Sequence, residues 1–255
     1  MSDSIIRIAM WSGPRNISTA MMRSWENRSD TAVVDEPFYA CFLQATGIVH
    51  PMQEEVLASQ STSWDTVIDQ VLTTDLPTSL PTGLPAGHAT RQAIQYQKHM
   101  TQHMVSELNE EWFSTLRHAF LIRHPAEVVA SYAQKRDQVN AEDIGFARQR
   151  EIFELAQSLG FEPPVIESRD VLMNPGASLR LLCSALDVPF DEHMLSWPVG
   201  TRESDGVWAP HWYESVENST HFAPYVEKEI SLNRQQQNVV DECLDDYLAL
   251  KECSL

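Results

Sequence analysis

Nothing in this chain of 255 residues is apolar for long enough to span a bilayer. Met1-Ser2-Asp3-Ser4 carries no basic stretch, and the apolar run from Ile5 to Met10 is short and interrupted by Arg7. No secretory leader is therefore visible, and a soluble cytoplasmic protein is expected. Cysteine is scarce and scattered: Cys41, Cys183, Cys243 and Cys253 form no C-x-x-C pair, so neither a zinc knuckle nor a redox motif is expected. Positive charge is also scarce. Eighteen Lys and Arg against 36 Asp and Glu leave a formal charge of −18, which argues against a nucleic-acid or anionic-membrane surface. Internal repeats and low-complexity tracts are absent. A hydrophobic content of 43% suffices for a normal core.

Against that acidic background, the few arginines near small-residue turns stand out. Ile5 to Trp11 is an apolar run, and Ser12-Gly13-Pro14-Arg15-Asn16-Ile17-Ser18-Thr19 interrupts it before a helical pattern begins at Ala20. A strand, a tight loop and a helix start aim backbone N–H groups and the positive helix end at an anion. Arg15 adds a planar fork of donors suited to tetrahedral oxyanions.

Further strands are expected at Thr31–Val34, Ala93–Gln97, Ala119–Ile122 and Pro164–Glu167. Helical patterns cover Phe38–Ala45, Trp64–Leu72, Met100–Leu108, Ala126–Lys135, 142–159, Ala177–Leu186 and Arg234–Leu250. The alternation predicts one α/β domain, a parallel sheet with helices on both faces, and ligands at the carboxyl ends of its strands. Ser12–Thr19, Asp35-Glu36, Lys98-His99 and Arg123 each follow a predicted strand, so one shared site is expected. Residues 73–90, with Pro77, Pro81 and Pro85 four apart, read as a loop, a connector or a lid.

Pro14-Arg15-Asn16-Ile17-Ser18-Thr19 resembles the phosphosulfate-binding loop of sulfotransferases, commonly P-[KR]-S-G-[ST]-[ST]. Ile17 stands where that pattern has glycine. Arg123, followed eight residues later by Ser131, resembles the family's 3′-phosphate motif. Val165 to Pro175 resembles a further family segment, Y-E-D-L-x-x-[DN]-P. The resemblance implies a three-layer P-loop-type fold and a sulfuryl donor, 3′-phosphoadenosine 5′-phosphosulfate, with no metal. It implies donor contacts from the loop Gly13 to Thr19, from Arg123 and Ser131, and from Arg202 in a closing C-terminal loop. The acceptor would be a small molecule with a hydroxyl or amine.

Sulfuryl transfer needs a stabilised leaving group and a base for the acceptor proton. Arg15 and Lys98 are the expected electrostatic groups, Lys98-His99 loosely resembling the family's K-T-H segment. Glu36 and His99 compete as base. A helical face shared by His99 and His103 would make half a metal site at most. The aromatic-rich stretch 197–225, with Phe38, suggests acceptor contacts from Phe38, Trp208, His211 and Trp212, by packing or by cation–π attraction. The runner-up activity is a nucleoside-triphosphate-dependent kinase, since Ala32 to Glu36 resembles a Walker B strand. The G-x-x-x-x-G-K-[ST] loop that would accompany it is missing. A non-catalytic nucleotide-binding domain is the third reading.

Overall fold

The structure, a computed structural model, describes residues 5–73, 93–106, 108–136 and 138–255. In chain order the elements are β1 (Ile6–Ser12), α1 (Ser18–Glu26), β2 (Thr31–Asp35), α2 (Tyr39–Thr46), α3 (Gln53–Ser59), α4 (Trp64–Thr73) and β3 (Ile94–Met100). Then come α5 (Glu110–Phe113), β4 (Arg117–Ile122), α6 (Pro125–Tyr132), α7 (Ala141–Ile144), α8 (Phe146–Ser158) and β5 (Val165–Glu167). The remainder is helical or irregular: α9 (Ser168–Met173), α10 (Pro175–Ala185), α11 (Ala209–Trp212), α12 (Glu214–Glu217) and α13 (Arg234–Lys251). The proline-rich stretch lies outside the described residues, apart from Thr73 at the end of α4. No helix among the described residues is long and apolar enough to cross a membrane.

The five strands are parallel, in the order β2-β3-β1-β4-β5. Side chains alternate across a strand, and β1 shows the result. Ile8 and Met10 join Met21, Met22 and Trp25 of α1 in one buried layer. Ala9 and Trp11 join Val128, Val129, Ile152 and Phe153 in the other. Both faces are thus dry, which is why these strands read as continuous apolar runs. Because the chain leaves β1 for β2 at one edge and later returns to place β4 on the other side, the carboxyl ends of β3, β1 and β4 open a crevice.

Two expectations change here. Lys98 and His99 lie within β3, not after it. The helix expected over Met100–Leu108 is replaced by a 3₁₀ turn at Thr101–His103 and irregular chain. The Arg148 guanidinium donates to the carbonyls of Met104 and Ser106, both at 2.7 Å, and Thr101 Oγ1 donates to Gly145 O at 3.2 Å. These tertiary bonds satisfy groups that a helix would have used. His99 and His103 therefore share no helical face. Among the described residues no group of three or more His, Cys, Asp and Glu side chains is arranged to hold a metal.

The turn after β1 packs tightly on the α7–α8 junction. A Cβ on Gly13 would lie 2.5 Å from the Ile144 carbonyl oxygen, a backbone atom that cannot swing aside. Gly13→Ala is expected to cost about 1–3 kcal/mol by overpacking, read as a lowered urea midpoint; an unchanged midpoint would show that the turn has slack.

Buried histidines make a second stability prediction. His99 and His118, 1% and 3% exposed, are pushed down to about 3 and about 4, burial being the main cause for each. His103, 3% exposed, is pushed well below its usual value by burial and by His50, Lys98 and His99. The unfolded chain binds these protons first, so their contribution is complete above pH 6.5 and is lost as pH falls toward the folded values. Each proton taken up on unfolding steepens the dependence by about 1.4 kcal/mol per pH unit. Urea stability should therefore fall clearly between pH 6.5 and 4.5, and a flat profile would contradict it.

Candidate active site

A cleft of about 310 Å³ opens at the strand ends. Its walls hold Pro14 to Ala20 of the first turn, Glu36 after β2, Lys98 and Met100 of β3, and Arg123 and Ser131 around α6. The C-terminal segment closes it with Trp212, Tyr213 and Phe222. Segments far apart in sequence thus meet where their order in the sheet brings them.

One end of the cleft is cationic. Arg15 Nε donates to Ser131 Oγ at 3.0 Å, and Arg123 Nη1 donates to the Arg15 carbonyl at 2.8 Å. Burial, then the charge of Arg123, lowers the Arg15 pKa, and Arg15 makes no ion pair with a described acidic residue. Arg123 is partly engaged: its Nε lies 2.8 Å from Glu127 Oε2, and Tyr225 holds the other Glu127 oxygen at 3.2 Å. The helix α1 begins here with no side-chain cap and no acidic residue in its first turn. Six other helices, α2, α3, α8, α9, α11 and α12, also start without a side-chain cap, so what marks α1 is that its start lies in the cleft wall beside Arg15. The start of α1, with Ser18 and Thr19, lines the cleft, and a helix N-terminus presents N–H groups without intrahelical partners, a chemistry suited to an anion.

Ile17 explains its own oddity. It adopts φ 58°, the left-handed conformation that glycine enters freely, and its side chain packs against the buried layer around α1. Arg15 (φ 61°) and Glu36 (φ 42°) are left-handed too. Three cleft residues held this way cost on the order of 1–3 kcal/mol each, a strain that the surrounding packing must hold. Asn16 is 1% exposed, and its amide donates to Leu121 O at 3.2 Å, so it ties the loop to β4.

The other end holds a buried ionic cluster. Lys98 Nζ donates to Glu36 Oε1 (2.6 Å), Asp35 Oδ1 (3.0 Å) and Tyr213 Oη (2.6 Å). Asp35 and Lys98 are register partners on adjacent strands, which sets their approach. Burial opposes the charge on Lys98, but the two carboxylates outweigh it and hold its pKa above the usual value. Glu36 is raised, first by burial and also by Asp35, with Lys98 acting the other way. His103 stands beside it, with Nδ1 3.9 Å from Glu36 Oε2. The rings of Tyr39 and Phe42 stack on His103 at 4.5 and 4.9 Å.

Several expected residues are elsewhere. His99 points to the opposite face of β3 from Lys98, stacks on Trp11 at 4.5 Å and bonds Gln97 at 2.9 Å, so it is a core residue. Phe38 lies in that same layer, 5.0 Å from the Trp64 ring. Trp208 is 1% exposed and donates its indole N–H to Tyr213 at 3.0 Å. Arg202 is spent on carbonyls of its own loop, Thr201 O at 2.9 Å among them, and lies 3.9 Å from Glu26. Gly13, Arg202, Trp208, His211, Phe38 and His99 do not line the cleft, whereas Trp212 does. Tyr213, Tyr39, His50 and Tyr132 line it without having been singled out, and His103, weighed only as half a metal site, lines it too. Tyr213 falls within the aromatic-rich stretch, but nothing in its spacing separates it from Trp208 or Trp212.

The cluster has two carboxylates and one ammonium. Because the folded Glu36 pKa is raised, the folded state binds the extra proton above the ordinary carboxylate range, and ionising Glu36 costs stability as pH rises through that window. Glu36→Gln is therefore expected to unfold at a higher temperature than the parent at pH 8, with the gain vanishing toward pH 4.5. A variant that melts lower at pH 8 would contradict it.

With this geometry in place, the comparisons add the following. A family model described as the sulfotransferase domain matches residues 6–253. Among curated proteins, branched-chain-amino-acid aminotransferase-like protein 1 of Arabidopsis thaliana is 35% identical over 216 residues, covering 85% of this chain and 36% of the relative. Its counterpart, protein 2 of the same plant, is 29% identical over 244 residues, covering 96% and 41%. The chain thus spans well under half the length of these relatives. A sulfotransferase domain from the curacin biosynthetic pathway superposes with a TM-score of 0.57 at 16% identity, covering 94% of this chain and 97% of that one. The sulfotransferase domain of the Synechococcus PCC 7002 olefin synthase gives 0.54 at 15% identity, covering 94% of each chain. At these identities the two structures speak for the fold.

Proposed function

The chain belongs to the sulfotransferase-domain family, and from that premise we propose that it moves a sulfuryl group from 3′-phosphoadenosine 5′-phosphosulfate to a hydroxyl or amine of a small acceptor. The observation that carries the reading is the two-ended cleft. Arg15, Arg123, Ser131 and the uncapped start of α1 meet at one end, and Lys98 and Glu36 at the other.

The chemistry follows from the charges. The acceptor's oxygen or nitrogen attacks sulfur as the bond from sulfur to the bridging phosphate oxygen breaks. The leaving group is adenosine 3′,5′-bisphosphate, and negative charge grows on that bridging oxygen. Arg15 and the α1 N–H groups oppose the charge on the phosphosulfate. Arg123 and Ser131 meet the 3′-phosphate, which competes with Glu127 for the guanidinium. Lys98 turns toward the bridging oxygen. Glu36 takes the acceptor's proton, its raised pKa making it a better base than an ordinary carboxylate. The side chains around this end, Tyr39, His103 and Trp212, supply a mostly aromatic wall for the acceptor's body.

A ligand binding only the folded state stabilises it by about 2.7 kcal/mol at one hundred times its Kd. Adenosine 3′,5′-bisphosphate is expected to raise the melting temperature, and Arg15→Ala or Arg123→Ala to abolish most of the rise. A shift with ATP·Mg²⁺ and none with the bisphosphate would instead favour phosphoryl transfer. With labelled donor and a panel of hydroxyl and amine acceptors, Glu36→Gln is expected to lower turnover by about 10²–10⁴-fold while bisphosphate binding persists; full turnover would remove Glu36 from the role.

A further inference from the structure

We propose that Tyr213 is a positioning residue that makes Glu36, and not its neighbour Asp35, the carboxylate that receives the acceptor's proton. The inference rests on the reading of Glu36 as the base and adds how the fold chooses between two adjacent acids.

The choice is visible in the hydrogen bonds. Asp35 is saturated: Oδ1 lies 3.0 Å from Lys98 Nζ and 2.9 Å from Tyr213 Oη, and Oδ2 lies 2.7 Å from Tyr213 Oη and 3.1 Å from the Gly206 N–H. Its side chain is 1% exposed. Glu36 accepts from Lys98 through Oε1, and His103 Nδ1 stands 3.9 Å from its Oε2, beyond a hydrogen bond. Glu36 lines the cleft and Asp35 does not. Asp35 ends β2 and Glu36 follows it, so exposure to the cleft and hydrogen bonding separate them, and Tyr213 supplies much of the bonding.

Its hydroxyl has one proton, given to Asp35, and lone pairs that accept from Lys98 at 2.6 Å and from Trp208 Nε1 at 3.0 Å. That single proton serves Asp35 far better than Glu36 Oε1, which lies 3.5 Å from the hydroxyl. The titratable or charged groups facing Glu36 are Asp35 from β2, Lys98 from β3, His103 from the turn after β3, Tyr39 from α2 and Tyr213 from the C-terminal segment. Tyr213 is the member that joins Asp35 to Lys98 while placing its shorter bonds, 2.7 and 2.9 Å, on Asp35 and only a long one, 3.5 Å, on Glu36. The segment bearing it is anchored independently, since buried Arg23 pairs with Asp205 at 2.6 Å just before Gly206.

Without the phenol hydroxyl, Asp35 loses its shortest donor and draws Lys98 toward itself, away from Glu36. Glu36 then holds its proton more tightly. The test is a carboxyl carbon-13 titration of the full chain, the two resonances identified by Glu36→Gln and Asp35→Asn. In the parent, the first proton taken up by the cluster as pH falls is expected on Glu36; finding it on Asp35 overturns the proposal without any Tyr213 variant. In Tyr213→Phe the Glu36 midpoint is expected to rise by about one pH unit, and the acid limb of kcat/KM with it, so that activity drops about tenfold on that limb and recovers at higher pH. An unmoved Glu36 midpoint, or a loss equal at every pH, overturns the positioning role. Adenosine 3′,5′-bisphosphate binding, expected within twofold of the parent's, is read alongside. Failure of the parent to bind it would count against the sulfuryl-transfer reading, while the titration still decides the role of Tyr213.

Discussion

A buried ammonium between two carboxylates is the interaction on which the cleft depends. Lys98 lies within β3, 1% exposed, where burial disfavours its charge and the neighbouring carboxylates, Asp35 first, sustain it. Parallel pairing of β2 with β3 brings Asp35 opposite Lys98, and the Glu36 N–H bonds the Lys98 carbonyl at 3.0 Å, extending that register one residue past the strand. The left-handed backbone of Glu36 then turns its side chain into the cleft. The cluster therefore joins sheet register, local strain and chemistry in one place.

The same cluster explains why the C-terminal segment is packed where it is. Tyr213 and the Gly206 N–H reach Asp35 or Lys98, Trp208 bonds Tyr213, and Arg23 on α1 holds Asp205 alongside. The aromatic residues of this segment divide accordingly. Trp212 faces the cleft, whereas Trp208 lies behind Tyr213 and orients it. The cationic end is built differently, from backbone as much as from side chains. It joins the uncapped start of α1 to Arg15 and Arg123, which stay close together although like charges repel. Such a pair is stabilised by a bound anion, in a protein whose overall charge of −18 otherwise repels one.

Much of the fold was legible in the chain itself. Four strands, β1, β2, β4 and β5, coincide with apolar β-rich runs, because a parallel sheet covered on both faces favours such runs; β3, with Gln95, Gln97, Lys98 and His99, does not, and its expected end at Gln97 falls three residues short of Met100. Pro14, Arg15, Ser18 and Thr19 line the cleft while Gly13 packs on Ile144, and the strand, turn and helix start around residues 12–19 were legible because they form at short range. The stretch after Met100 was not, because its carbonyls are satisfied by Arg148, a residue more than forty positions away. His99 was misplaced by one residue's worth of alternation. A strand sends Lys98 and His99 to opposite faces, and knowing which face holds the cleft requires the sheet order.

By itself, then, the sequence determined the strand-loop-helix start, the pair Arg123 and Ser131, and an acid-rich composition that makes an anion site stand out. These depend on local spacing and on charge count. The tertiary structure alone decided which of two neighbouring acids opens to the cleft, which of several aromatic residues touches it, and that Ile17 takes the backbone shape of a glycine. Those outcomes depend on strand register, on the side of the sheet to which a side chain alternates, and on packing between segments distant in the chain.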